Sequence, residues 1–281
     1  MKFSTLWPLL RQAYSLWDAH NATRLSAALA FYSILSLAPL VILALRIASW
    51  AFGNSNAQSQ LLGQVQDLIG YQGREAVVGI IEHAQNPAKG AFASAIGVLT
   101  LLFGASGVFG EIRSSLNTIW DIPAGPDGIW ALLRQRFWSF GLVLAVGFLF
   151  LISLLTSAAM TAAVKYVGGL FTMHAVVLQT LNHVASFAGA AILFALIFRY
   201  VPGSRTPWKD LWAGSLLTAL LFTLGKVLIG AYLGTTALGS AYGAAGSLVA
   251  VIAWVYYSSL IFFFGAAFTR VVNLRDQPKP A

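Results

Sequence analysis

Six apolar segments, at 25–50, 91–110, 137–164, 175–198, 211–233 and 244–269, leave this chain few folds to choose from. Each is long enough to cross a hydrocarbon core, which takes about 20 apolar residues as an α-helix. Soluble domains are about a quarter charged; this chain is 9% charged and 58% hydrophobic, with a mean hydropathy of +0.75. A 281-residue chain cannot hide that much apolar surface inside itself, so lipid must cover the remainder. The expected fold is all-α: a polytopic membrane protein with six transmembrane helices, forming one domain over 1–281.

The loops set the orientation. Lys2, Arg11 and Arg24 precede the first segment, and Arg113, Arg134 and Arg136 lie between the second and third. Arg199, Arg205 and Lys209 lie between the fourth and fifth, and Arg270, Arg275 and Lys279 follow the sixth. The alternate loops hold only Arg74, Lys89 and Lys165. Twelve basic residues against three is a strong positive-inside bias, which predicts cytoplasmic N- and C-termini. It also accounts for the net charge of +8 without a nucleic-acid partner.

Between the spans, three stretches have helical periodicity with one polar side. Residues 1–20 predict a cytoplasmic helix lying at the membrane interface, with Phe3, Leu6, Trp7, Leu10, Tyr14 and Trp17 as its apolar part. Residues 54–87 predict a pair of outer amphipathic helices divided by a turn at Tyr71-Gln72-Gly73, with Asp67, Glu75 and Glu82 on their polar side. Residues 90–120 predict one long helix that crosses the membrane and continues into the cytoplasm. Its glycines Gly90, Gly97 and Gly104 recur every seven residues, and Gly107 and Gly110 follow at three. That face suits close helix packing or a hinge. Val108, Ile112, Leu116 and Ile119 form the apolar stripe of its extension, beside the inner-side polar residues Glu111, Arg113 and Asn117, with Glu111 placed to pair with Arg24 or Arg199. Residues 271–281 read as a short cytoplasmic tail.

A few residues are costly inside a membrane. Pro39 removes a backbone hydrogen bond near the middle of the first span and predicts a kink. Arg46, Lys226 and His183 fall in the outer halves of three spans, where an ionisable group marks a functional site by default. The competing reading is that Arg46 snorkels to the interface. Segment 234–247, made almost wholly of small and hydroxyl residues, joins the last two spans and brings Tyr242 and Ser247 toward Lys226. Together Lys226, Arg46, His183, Tyr242 and Ser247 are the expected ligand-binding residues. No catalytic residue is expected: the chain has no cysteine, phosphate loop, nucleotide fingerprint or nucleophile motif, and its acids and histidines lack metal-ligand spacing, so no metal or cofactor is expected.

Three motifs carry a resemblance. Residues Ala27 to Leu40 (AALAFYSILSLAPL), Phe103 to Glu111 running on to Leu116-Asn117-Thr118-Ile119-Trp120, and Tyr242 to Leu248 followed by Trp254-Val255-Tyr256-Tyr257-Ser258 occur in the order found in the YihY/BrkB family of bacterial inner-membrane proteins, which this chain resembles over nearly its whole length. The resemblance implies a multi-pass protein of the bacterial plasma membrane whose biochemical activity is unsettled. Some members are linked to serum resistance or to lipid movement, and many once carried the name ribonuclease BN. A nuclease would need carboxylates or histidines converging on a metal, and of the cytoplasmic candidates Asp18, His20, Glu111 and Asp121 none has such spacing.

The expected activity is therefore not enzymatic. The leading reading is a transporter or flippase for an anionic lipid or small anion, with membrane lipids as partners, no nucleic acid, and an oligomeric state that the residues leave open. The alternative is a non-catalytic scaffold or envelope-integrity protein. A ribonuclease comes last.

Overall fold

The computed structural model describes residues 3–85, 107–123, 172–203, 206–235 and 245–276, and every regular element among them is a helix. We number these α1 (Phe3–Ala19), α2 (Ala22–Phe52), α3 (Asn54–Ile69), α4 (Tyr71–Gln85), α5 (107–119), α6 (Thr172–Tyr200), α7 (Trp208–Thr235) and α8 (Gly246–Asp276). Four of them, α2, α6, α7 and α8, are long and apolar enough to cross a membrane. They answer to the first, fourth, fifth and sixth expected spans, each running a few residues past its apolar stretch. The expected third span, at 137–164, and most of the second, with Gly97 and Gly104, lie outside the described residues.

Backbone chemistry explains the breaks. Asn21 separates α1 from α2 at φ 51, a left-handed conformation that asparagine tolerates better than most residues. Gly53 and Gly70, at φ 78 and 86, end α2 and α3 by returning their N–H groups to Ser49 O and Gln66 O at 3.0 and 2.9 Å. The expected amphipathic helical pair is thus present, but it divides at Gly70, and Tyr71-Gln72-Gly73 forms the first turn of α4. Glycine reaches a positive φ without strain, which the tyrosine next to it does not. α2 is continuous through Pro39, which is half-buried.

The bundle is built around α8, which packs against α1, α2, α4 and α7, while α6 packs along α7. α1 has the expected amphipathic pattern, and its apolar face docks on protein. Leu9 and Ala13 are buried against Phe268, Val271 and Val272 of α8, leaving Trp7 and Tyr14 exposed. Residues 271–276, expected as tail, therefore continue α8 as a packed helix.

α7 and α8 approach each other closely. Gly214 lies under Thr269, and Gly265 lies under Thr218, so each helix offers a glycine to the other's threonine. Each threonine hydroxyl donates to the glycine carbonyl one turn back in its own helix, Thr218 to Gly214 O at 2.7 Å and Thr269 to Gly265 O at 2.8 Å. The hydroxyls are satisfied without leaving their helix, and two backbones come together as small-xxx-small pairs allow. Farther along, Gly225 faces Tyr257 and Ile261. At the other end, Asn273 Nδ2 donates to Asp210 Oδ2 at 2.8 Å, both side chains buried. These contacts advance along α7 as they retreat along α8, which defines an antiparallel pair.

Replacing Asn273 by leucine strands a buried carboxylate and is expected to cost about 1–3 kcal/mol, or more for a charged group. The double change Asp210→Leu with Asn273→Leu should recover most of that loss, because removing both partners is nearly neutral. Denaturant unfolding of the three variants in bicelles measures it.

Candidate functional site

Polar contacts gather at the end of the bundle where the loops are basic. The end of α5 is the hub. Leu116, Ile119 and Trp120 are fully buried with Phe194 and Phe198 of α6, Leu211 and Ala219 of α7, and Phe262, Phe263, Ala266 and Ala267 of α8. The Trp120 indole N–H donates to Ala266 O at 2.9 Å, and its ring lies 6.4 Å from that of Phe198. Asn117 Oδ1 accepts from the Gly203 N–H at 3.0 Å and so ties α5 to the turn after α6. His20 Nε2 lies 3.5 Å from Asp121 Oδ1, joining the α1–α2 break to the same hub. Gly107, at the start of the described part of α5, sits beneath the Tyr32 ring of α2, where a Cβ would come within 2.8 Å of Cδ1. Among the described residues nothing lies within 4 Å of where a Cβ on Gly110 would stand.

The expected ion pair of Glu111 is not made. Glu111 Oε1 accepts from Ser115 Oγ at 3.0 Å, one turn along its own helix. Arg199 instead donates to the Thr206 carbonyl and lies 5.7 Å from the Trp208 ring centroid. A partner within the same helix or the adjoining turn needs no crossing of the bundle, and both groups take the near one. Arg113 is half-buried. Among the described residues no three of histidine, aspartate and glutamate form a metal-ligating group. Asp18 is exposed, His20 faces Asp121, and Glu111 faces Ser115.

At the opposite end the expected binding residues sit on separate helices. Arg46 on α2 and His183 on α6 are exposed; Lys226 on α7 and Ser247 at the start of α8 are half-buried. Tyr242 lies outside the described residues. No hydrogen bond or ion pair joins Arg46, His183 and Lys226. Of the acids considered as partners for Lys226, Glu75 lies 3.6 Å from its neighbour Arg74, and Glu82 is exposed. A stripe of exposed apolar side chains, Leu216, Leu220, Leu224, Val227 and Leu228, follows one side of α7, and Lys226 stands about 100° round the helix from Val227. Such a stripe is a lipid-facing surface.

Sequence reasoning passed over Gly214, Thr218, Gly265, Thr269, Asp210 and Asn273. The only available signal was a Gly-xxx-Thr spacing repeated in two apolar segments, a pattern that glycine-rich membrane helices also produce without pairing.

Helices of spanning length, an apolar outer stripe and a glycine–threonine seam define an α-helical membrane protein. The family described as Virulence factor BrkB matches residues 13–281, and the chain belongs to that family, the YihY/BrkB proteins that its motifs resemble. Among curated relatives, a UPF0761 membrane protein of Verminephrobacter eiseniae is 30% identical over 94% of this chain and 62% of its own length. One of the same name from Cronobacter sakazakii is 29% identical over 97% of this chain and 91% of its own. A ribonuclease-like protein of Bacillus subtilis, YfkH, is 21% identical over 95% and 96%. The chain thus spans about three fifths of the length of the first of these relatives. No solved structure matches it.

Proposed function

We propose that this protein crosses the bacterial inner membrane six times, with both termini cytoplasmic, and moves an anionic lipid or a small anion across it without enzymatic chemistry. The observation that carries this reading is Lys226. It is half-buried on α7, a helix of membrane-spanning length, with no ion pair to any described acid. A lysine in the hydrocarbon region costs about 2.5–3.5 kcal/mol on insertion scales, and an anion that visits it offsets that cost. Arg46 and His183 would then attract the anion from the outer surface, and Tyr242 and Ser247 would line its path. Partners are membrane lipids; nucleic acid has no role, and the ribonuclease reading is the weakest.

In proteoliposomes carrying a labelled anionic lipid, Lys226→Ala is expected to slow translocation at least tenfold, while Lys226→Arg retains most of it. Undiminished transport by Lys226→Ala would overturn the reading. It would favour the scaffold alternative, which the exposure of Arg46 supports, since an exposed arginine near a helix end reaches the interface by itself.

A further inference from the structure

The pair α3–α4 has a polar side that its position makes hard to place in lipid. α3 leaves α2 at Gly53 and folds back along it. Leu61, Leu62 and Val65, eight to twelve residues after the break, pack with Leu37, Val41, Ala44 and Leu45, which lie eight to sixteen residues before it. Val77 and Ile81 of α4 complete the same cluster, and α4 also lies against α8. With 16 residues at about 1.5 Å each, α3 descends about 24 Å, so the tip at Gly70 comes level with Leu37. The opposite sides of the two helices carry exposed Ser59, Gln66, Glu75 and Glu82, and the Arg74–Glu75 pair stands just past the tip.

The length of α2 decides where that tip lies. The apolar stretch of α2 begins after the exposed Thr23 and Arg24, so if the hairpin stood wholly outside the bilayer, α2 would have to cross it with residues 25–37 alone. Those residues span about 20 Å, short of the roughly 30 Å hydrocarbon core. The tip therefore enters the core by about 10 Å, which carries Gln66 and Glu75, about 6 and 8 Å from Gly70 along their helices, below its boundary. Charged and amide side chains exposed at that depth do not face lipid; non-spanning polar segments are tolerated there where they line water.

We propose that α3–α4 is a re-entrant hairpin whose polar side lines a water-filled vestibule open to the outer face of the membrane. α3 also touches α7, the helix that carries Lys226. The vestibule stands whether or not anything is transported, so a null transport result for Lys226→Ala leaves it untouched.

The chain has no cysteine, so single cysteines can carry spin labels in the otherwise native protein. Leu35 lies near the level of the tip and is exposed on α2, while Gln66 and Glu75 are exposed on the hairpin. In vesicles of phosphatidylethanolamine and phosphatidylglycerol, a label at Leu35→Cys is expected to collide mainly with oxygen, as in lipid. Labels at Gln66→Cys and Glu75→Cys are expected to collide mainly with a water-soluble nickel chelate. Water at all three sites would place the hairpin outside the membrane, and lipid at the two hairpin sites would remove the vestibule; either result overturns the proposal, as does water at Leu35 with lipid at the hairpin.

Discussion

Gly265→Ala should destabilise the protein by about 3 kcal/mol, and Thr218→Gly should recover part of that loss. A Cβ on Gly265 falls on the Thr218 hydroxyl, with Thr218 Cβ at 2.8 Å and Cγ2 at 3.1 Å. All three obstructing atoms belong to one side chain, so removing that side chain reopens the space. Forcing an extra methyl into a packed seam costs about 1–3 kcal/mol and occasionally more. Here α7 and α8 must separate along several turns to admit it, which puts the expected loss at the upper end of that range. The rescuing glycine brings its own helix penalty of about 1 kcal/mol, so recovery is partial.

Gly214→Ala separates a local clash from general damage. Its Cβ meets Thr269 in the same way, but it also comes within 3.1 Å of the Gly265 carbonyl oxygen. That oxygen is backbone, and no side-chain replacement moves it. Thr269→Gly is therefore expected to rescue Gly214→Ala less well than Thr218→Gly rescues Gly265→Ala. Thermal stability in detergent, followed by fluorescence-detected size exclusion, ranks all four variants. Equal rescue in both pairs would mean that the seam yields as a whole.

Trp120→Ala is the second large effect, expected to destabilise the protein by about 3–5 kcal/mol. Trp120 is among the largest fully buried side chains, and it touches the aromatic cluster of α6 and α8 while donating to Ala266 O. Between helices in lipid the loss is mainly one of packing contacts, since hydrocarbon is no worse a solvent for the exposed surface than the protein interior. Trp120→Phe keeps a ring in place and gives up the hydrogen bond, worth about 0.5–1.5 kcal/mol. Reversible unfolding in bicelles should therefore rank wild type, Phe and Ala in that order. Trp120→Ala should also free the α5 end, raising protease cleavage near Ile122 and Pro123.

How far these features could be read beforehand depended on their range. Helix identity is a local matter, and the apolar segments behind α2, α6, α7 and α8 were long enough to leave no alternative. The amphipathic faces of α1 and of the α3–α4 pair were equally visible, because a 3.6-residue period needs only a few turns to show. What those faces touch was not visible. Leu9 and Ala13 could have met lipid headgroups, and their partner on α8 is more than 250 residues away in the chain. Glu111 shows the same limit: a partner across the bundle was plausible from charge, and a serine one turn away took the bond. The Asp210–Asn273 bond and the crossed glycines and threonines depend on the register between two helices, which composition does not encode.

The described part of α5, with Gly107 against Tyr32 and Trp120 against Ala266, is a docking element that gathers α2, α6, α7 and α8 at one end of the bundle. The basic residues Arg46, His183 and Lys226 are not part of that hub.

The proposed orientation of the chain in the membrane is open to direct measurement. Single cysteines at Ser59, Gly203 and Leu274, all exposed, can be treated in spheroplasts with a charged maleimide that does not cross the bilayer. Ser59→Cys is expected to react in intact spheroplasts, and Gly203→Cys and Leu274→Cys only after lysis. Reaction of Gly203→Cys or Leu274→Cys in intact spheroplasts, or protection of Ser59→Cys until lysis, would contradict that orientation.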